Sequence, residues 1–385
     1  MNALTANLAS RASRDELEAF RGTVRRFYEG EVMPERERYA AQGHVDRELW
    51  NRAGALGLLL LDVPEAYGGA GGSVEHLAVM VEEAARAIDS ALGFSVHSIV
   101  SRYLLAYASE AQKRRWLPAM ARGELVGAIA MTEPDAGSDL QGIRTQARRD
   151  GDHYVISGQK TFITNGHHAD LVIIVSKTDP REGAKGVSLI VAEAQDLAGF
   201  RRGRILDKMG QKAQDTTELF FDEMRVPAEN LLGGEEGRGF AQLMNQLPYE
   251  RMIVAYRAVG AMARAVELAT EYAKARRAFG KSLMDLQNTR FTLAECATEV
   301  SVARAFVAEC LEKLLDGSLD APTACMAKWW TTDRQCTITD RCLQLFGGYG
   351  YMNEYPIARL YTEARVQRIY GGTNEIMKEV IARSL

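Results

Sequence analysis

The chain has no apolar run long enough to cross a bilayer. Its longest, Leu56 to Leu61, is interrupted by Gly57 and falls far short of the ~20 residues a spanning helix needs. No apolar stretch accompanies Arg11 and Arg14, so the first fourteen residues do not form a secretory signal and read as a short frayed tail. Excess charge is also missing: 47 basic against 51 acidic residues leave a net −4, which gives no basic field for nucleic acid. The five cysteines (Cys296, Cys310, Cys325, Cys336 and Cys342) form no Cys-x-x-Cys pair and fall in helical sequence, so buried thiols in a reducing compartment are expected. Six histidines include the pair His167-His168, but with no His-x-x-x-His and no adjacent cysteine, and no metal site is expected.

What remains is an ordinary globular composition, 46% hydrophobic and 25% charged, and 385 residues suggest two or three domains. From residue 15 to about 125 the apolar period is helical: Leu17, Phe20, Val24, Phe27 and Tyr28 share one face, and Val74, Leu77, Val81 and Ala84 another. Asp46 and Ser73 stand where helix caps belong, and Ser109 with Gln112 forms a capping box. The run Gly68 to Gly72 follows no strand, so it reads as a connection and not as a phosphate loop. Near Gly127 the period changes. Tyr154–Ser157, Lys160–Ile163, Leu171–Val175, Val187–Val191 and Glu218–Phe221 are β-rich runs separated by turn signals such as Asn165-Gly166, and they end near Pro227. Helices return at Gly239: one to about Arg277, one over Leu286–Leu315, and one entered at Pro322 and ending at Gly347-Gly348. The expected fold class is therefore α+β: an all-α domain over 1–126, a small β-barrel or sandwich over 127–233, and a helical bundle over 234–385. Strand–helix alternation is absent, which disfavours a doubly wound nucleotide fold.

The first helix of the last section carries Leu247-Pro-Tyr-Glu-Arg251. Phe240, Leu243, Met244 and Leu247 define a buried face, and Ile253, Tyr256 and Val259 or Gly260 extend it. Glu250 falls within that stripe, where lost hydration raises its proton affinity and suits it to act as a general base. Arg251 lies about 100° further round the helix. The pentapeptide alone better fits a salt-bridged Glu–Arg pair between packed helices, since most such pairs are structural.

Other segments have similarly double readings. Met131-Thr-Glu-Pro-Asp-Ala-Gly-Ser-Asp139 is a tight turn rich in donors, either a ligand wall or a hydrogen-bonded loop. Lys160 to Asn165, Arg276 to Gly280 with Gln287, Gln344 to Gly350, and Tyr370 to Glu375 each fit a helix end or turn as well as a site. Taken together and in this order, Met131–Asp139, Phe162-Ile-Thr164, Arg276–Gly280 and Gln344–Gly348 resemble the signatures of the acyl-CoA dehydrogenase family of flavoenzymes. The long-chain members are the most similar, particularly from Glu250-Arg251 through Ala324-Cys-Met-Ala-Lys328 to the C-terminus.

The resemblance implies FAD between the β domain and a C-terminal four-helix bundle, with a neighbouring subunit of a homotetramer completing each site. Ile129, Met131, Thr132, Gly137, Ser138, Phe162 and Thr164 would surround the isoalloxazine. Arg276, Phe279, Gln287, Gln344, Gly347 and Gly348 would take the phosphates and adenosine, partly from a second chain, and Thr373 and Asn374 would complete the set. Ser138, Tyr249, Arg251 and Gly372 would contact the acyl-CoA. Many family members carry the catalytic glutamate in the C-terminal motif at the position of Gly371, which has no side chain here. Long-chain and isovaleryl-type members take it from the helix that here holds Glu250. The implied reaction is dehydrogenation of a saturated acyl-CoA to the trans-2-enoyl-CoA, with Glu250 as base and the Gly371 amide polarising the carbonyl. Electrons would pass to an electron-transferring flavoprotein, in the cytoplasm or, for a processed organellar form, the matrix. An oxidase or monooxygenase on the same scaffold, and a dehydrogenase of carrier-protein thioesters, remain alternatives. Small residues at Gly93–Ser98 fit either an acyl slot or core packing, and His97 is expected to be a packed, hydrogen-bonded residue.

Overall fold

The computed structural model describes residues 11–88 and 91–385, so residues 1–10 of the expected tail lie outside the described residues. Residues 11–13 are not frayed. The Ala12 amide donates to Glu75 at 2.8 Å, and Ser13 forms a capping box with Glu16 that starts helix α1, Arg14–Phe27. Helices α2 (Arg36–Gln42), α3 (Arg47–Ala55), α4 (Val74–Arg86), α5 (Phe94–Tyr107) and α6 (Glu110–Ala121) follow. The Ser73 and Ser109 caps form as their residue types require. Asp46 occupies its cap position, but its carboxylate binds Arg38, with Nη1 at 2.9 Å, and no helix amide. An available guanidinium is the stronger partner for an anion than a backbone N–H.

The middle section is one curled, seven-stranded sheet built from β1 (Gly127–Ala130), β2 (Gln146–Asp150), β3 (His153–Thr164), β4 (Leu171–Lys177), β5 (Val187–Glu193), β6 (Phe200–Ile205) and β7 (Thr216–Pro227). The order is β1-β4-β2-β3-β7-β6, with β5 also on β4; β1 and β4 are parallel and most other pairs antiparallel. β1 and β5 flank β4 along its first residues, and β2 joins it only at Lys177, where β1 has ended. β1 divides two cores by simple alternation: Ala128 and Ala130 fill the interior of the sheet, while Ile129 and Met131 pack toward the helices. β3 carries two register shifts, the second between Lys160 and Ile163. That bulge turns Phe162 outward.

Helix α7, Gly239–Ala275, is the hub of the last section, packing on α4 and later helices. The small hairpin strands β8 (Arg277–Ala278) and β9 (Lys281–Ser282) separate it from α8 (Gln287–Leu315), α9 (Ala321–Gln344), α10 (Pro356–Gln367) and α11 (Asn374–Ala382). α4 approaches α7 so closely that a Cβ on Gly260 would meet Glu82 O at 2.7 Å. Leu243 of the predicted α7 face is fully buried and the face is buried again from Tyr249 onward, whereas Met244 is 36% exposed. Among the described residues no helix is long and apolar enough to cross a membrane.

Candidate active site

Glu250 is 7% exposed and its Oε1 accepts the Tyr103 hydroxyl of α5 at 2.8 Å. Burial raises its proton affinity; the Tyr103 bond and the Arg251 charge oppose that without cancelling it. The same burial, with the Glu250 charge, holds the Tyr103 hydroxyl protonated and therefore a donor. Next door, Tyr249 donates to Asp62 at 3.0 Å, and Arg102 lies 4.8 Å over the Tyr249 ring and 3.6 Å from Asp62. Tyr249 is thereby braced from the N-terminal helices. Arg251 is also buried, beside Cys325 and Lys328, and its Nε has no hydrogen-bond partner. A buried, unspent guanidinium donor is the mark of a group that awaits an acceptor.

The turn after α10 closes on this region. Gly371 has φ +65°, and a Cβ built on it would lie 3.7 Å from Val254 Cγ2, one helical turn beyond Glu250. Gly372, at φ +91°, could take no side chain without meeting Met377 Cε at 2.6 Å. Fully buried Lys328 of α9 fastens the turn, donating to Gly372 O at 2.7 Å and Asn374 Oδ1 at 3.0 Å. Burial, reinforced by Arg251, pulls the Lys328 ammonium down to about 7. Thr373 caps α11 through the Ile376 amide. The Asn374 side chain, expected at the cofactor, is instead spent inside the bundle on Lys328 and Thr332, because the buried ammonium needs a second acceptor.

The second wall is built on the β domain. The turn after β1 is tied by Glu133, whose carboxylate accepts from Arg144 N (2.6 Å), Thr145 N (3.0 Å) and Lys160 Nζ (2.9 Å), while Lys160 also donates to Met131 O at 2.8 Å. Burial pushes the Glu133 carboxyl up, but Lys160 and these amides outweigh it and hold it below its ordinary value. Gly137 and Ser138 are left exposed, with open space around Gly137. Phe162 is 66% exposed at φ +59°, an unfavourable backbone for a bulky residue that the bulge holds in place. An aromatic kept out of the core at that cost beside a turn of open donors fits the face of a flat ring system.

α5 joins the two walls. Asn165, three residues past Phe162, donates to Gly93 O and Gly127 O, both at 3.0 Å, and a Cβ on Gly93 would fall 1.8 Å from Asn165 Oδ1. From there α5 rises roughly 14 Å to Tyr103 and the Glu250 carboxylate. His97 is structural, as its sequence context indicated: Nδ1 accepts from Gly127 N and Nε2 donates to Met120 O, both at 3.1 Å. A third group gathers at the bundle end. Arg276 lies 5.7 Å over the Tyr349 ring beside Gly347 and Gly348, and Phe279 projects from the hairpin at 91% exposure. Arg276, Gln287 and Gln344 are exposed too, as groups that serve a ligand or a second chain must be. Pattern reading assigned no role to Tyr103, Asp62, Arg102, Lys328, or the Glu133–Lys160 pair. Glu133, Lys160 and Lys328 stood in segments already singled out, whereas Tyr103, Asp62 and Arg102 did not.

Helices that enclose a buried carboxylate, a curled sheet that presents an exposed aromatic, and a helical bundle that closes on both have the make-up of an enzyme site built for a flat ring system beside an acid. Residues 14–124, 128–224 and 237–385 match the N-terminal, middle and C-terminal domains of acyl-CoA dehydrogenases. The chain is 48% identical over 373 residues to the mitochondrial long-chain specific acyl-CoA dehydrogenase of Rattus norvegicus, covering 96% of this chain and 86% of that one. It superposes on an acyl-CoA dehydrogenase from Geobacillus kaustophilus with TM-score 0.94 and 46% identity, covering 97% and 99% of the two chains. A glutaryl-CoA dehydrogenase from Mycobacterium smegmatis in complex with FADH2 superposes with TM-score 0.90 at 27% identity, covering 97% and 95%. The chain belongs to the acyl-CoA dehydrogenase family. It is an FAD-dependent oxidoreductase that acts on acyl-CoA.

Proposed function

We propose that Glu250 is the base that removes the α-proton of a saturated, medium- to long-chain acyl-CoA, leaving the trans-2-enoyl-CoA. The observation that carries this reading is a carboxylate sealed from water, supplied with the Tyr103 donor and set one turn from Val254, against which Gly371 lies. The α-proton of a thioester is too weakly acidic for a free carboxylate, so its carbonyl must be polarised in a water-poor site. The Gly371 amide is the donor this chain offers, and Lys328 on the next carbonyl keeps its turn in position. Gly371 brings no carboxylate of its own, which leaves Glu250 to act alone. Tyr249, Arg251, Ser138 and Gly372 would orient the thioester and its CoA.

Ile129, Met131, Thr132, Gly137, Ser138, Phe162 and Thr164 would hold the isoalloxazine, with Arg276, Phe279, Gln287, Gln344, Gly347, Gly348 and Thr373 on the phosphates and adenosine. Bound FAD supplies the two-electron acceptor for the β-hydrogen, which leaves as hydride while Glu250 keeps the α-proton. Two-electron release to an electron-transferring flavoprotein and assembly as a homotetramer belong to the same reading. We place the domain limits at 126/127 and 233/234 within this scheme.

Purified protein should be yellow and should bleach without oxygen on addition of a saturated acyl-CoA, most strongly toward the long end of a chain-length panel. Steady oxygen consumption without bleaching by any acyl-CoA would replace this reading with an oxidase or monooxygenase. Bleaching by acyl-carrier-protein thioesters alone would move the substrate to that class. Glu250→Gln should keep the flavin and lose reduction by about two to four orders of magnitude; normal reduction by this variant would assign the base elsewhere.

A further inference from the structure

Three of the six histidines meet at one place outside the catalytic machinery: the adjacent His167 and His168, and His44 from more than a hundred residues earlier. His44 follows α2, and His167 and His168 form the turn between β3 and β4. Ring centroids are 4.5 Å apart for His44–His167, 5.4 Å for His44–His168 and 5.0 Å for His167–His168. One candidate ligand nitrogen from each ring lies within 4.8 Å of the other two. Linear spacing pointed away from any metal site, because the third imidazole arrives from the N-terminal helices. We propose that His44, His167 and His168 form a binding site for a divalent late-transition cation of the Zn2+ class, bridging the helical and β domains.

The donor set sets the metal class. Three imidazoles with no clustered carboxylate suit zinc, copper or nickel, whereas magnesium and calcium require oxygen ligands. His44 Nδ1 and His168 Nε2 both hydrogen-bond to Val45 O, at 2.7 and 2.9 Å. A carbonyl can only accept, so each of these nitrogens donates, and the opposite nitrogen of each ring is the one left to bind a cation. A ligating histidine bonded through its other nitrogen to a backbone carbonyl is the usual supporting arrangement of a metal site. The His167 amide donates to the Asp215 carboxylate at 2.7 Å, which fixes the turn. Of the neighbouring cations, Arg47 is paired with Asp170 at 2.8 Å and Arg202 donates to Ala169 O at 2.6 Å, so both are directed away to their own acceptors. Metal–nitrogen bonds of about 2.0–2.1 Å need ligand nitrogens roughly 3.3 Å apart in a tetrahedral site, a closure within reach of side-chain rotation. Three protein ligands leave the fourth position to water.

The test uses tag-free, FAD-loaded enzyme, stripped with chelator and then titrated with Zn2+ alone, Co2+ alone and Mg2+ alone. One Zn2+ per chain should bind, raise the unfolding temperature, and be absent with Mg2+; Co2+ should give d–d absorption to the red of the flavin band. His44→Gln, and separately His167→Gln at the more exposed ring, should weaken Zn2+ binding at least tenfold and abolish the Co2+ signal while flavin content stays unchanged. No saturable Zn2+ binding by the native chain, or equal binding by both variants, overturns the proposal and leaves a stacked imidazole cluster. If His44→Gln fails to fold, His167→Gln alone decides between these outcomes.

Discussion

Replacing Tyr103 with phenylalanine removes a single hydroxyl from Glu250 and preserves the ring that packs 6.2 Å from Tyr107. The lost bond is a hydrogen bond to a charged acceptor in a buried site, worth about 1.5–3 kcal/mol. It favours the ionised carboxylate, so its removal favours the protonated form by the same amount, roughly 10- to 150-fold in the ratio of the two. Burial already raises the Glu250 proton affinity. The sign is therefore unambiguous: the base is lost as pH falls through the raised value, and Tyr103→Phe moves that acid limb to higher pH. Anaerobic stopped-flow reduction by a saturated acyl-CoA, followed across pH, measures it. Native and variant rates should converge at high pH and separate by the factor above on the acid side. Coincident acid limbs in a variant with full flavin content would refute the claim that Tyr103 tunes the base, and a shift to lower pH would refute the sign of the interaction.

Glu133→Gln should release flavin more readily than the native chain, because Lys160 is then buried beside a neutral amide. Breaking one partner of such a pair costs about 3–5 kcal/mol, readable as flavin retained after gel filtration and as a lower unfolding temperature. With the Glu133 carboxyl held below its ordinary value, its contribution to stability is present above the unfolded-state value and is lost as pH falls through the lowered one. Acid unfolding of Glu133→Gln should accordingly show a shallower pH dependence than the native chain; identical slopes would remove the pair from the account. Gly260→Ala places a methyl 2.7 Å from Glu82 O and should cost about 1–3 kcal/mol, measured as a lower unfolding temperature with the acid limb of catalysis unmoved.

Most of the architecture was legible without coordinates because it is written at short range. Caps at Ser73 and Ser109, the burial of Glu250 and the β-branched runs of β4 and β5 each depend on neighbours within a few residues. β2 and β6 were not legible. Gln-Ala-Arg-Arg-Asp and Phe-Arg-Arg-Gly-Arg-Ile are charged, largely exposed segments that become strands because β3 and β7 present hydrogen-bonding edges to them. Helices α10 and α11 also escaped the reading, although proline at the start of the one and Thr373 at the start of the other are start signals.

At the site, the amino-acid order alone placed Glu250 on a buried helical face and a residue without a side chain at position 371, since both are matters of residue identity in a local pattern. The tertiary structure decided what surrounds that carboxylate and the histidine cluster: Tyr103 reaches Glu250 across 147 residues, Lys328 reaches the Gly372 carbonyl across 44, and His168 reaches the Val45 carbonyl across 123. Helical and strand periods specify which face a residue occupies. They say nothing about which distant face will meet it, because that choice is made only when whole elements pack.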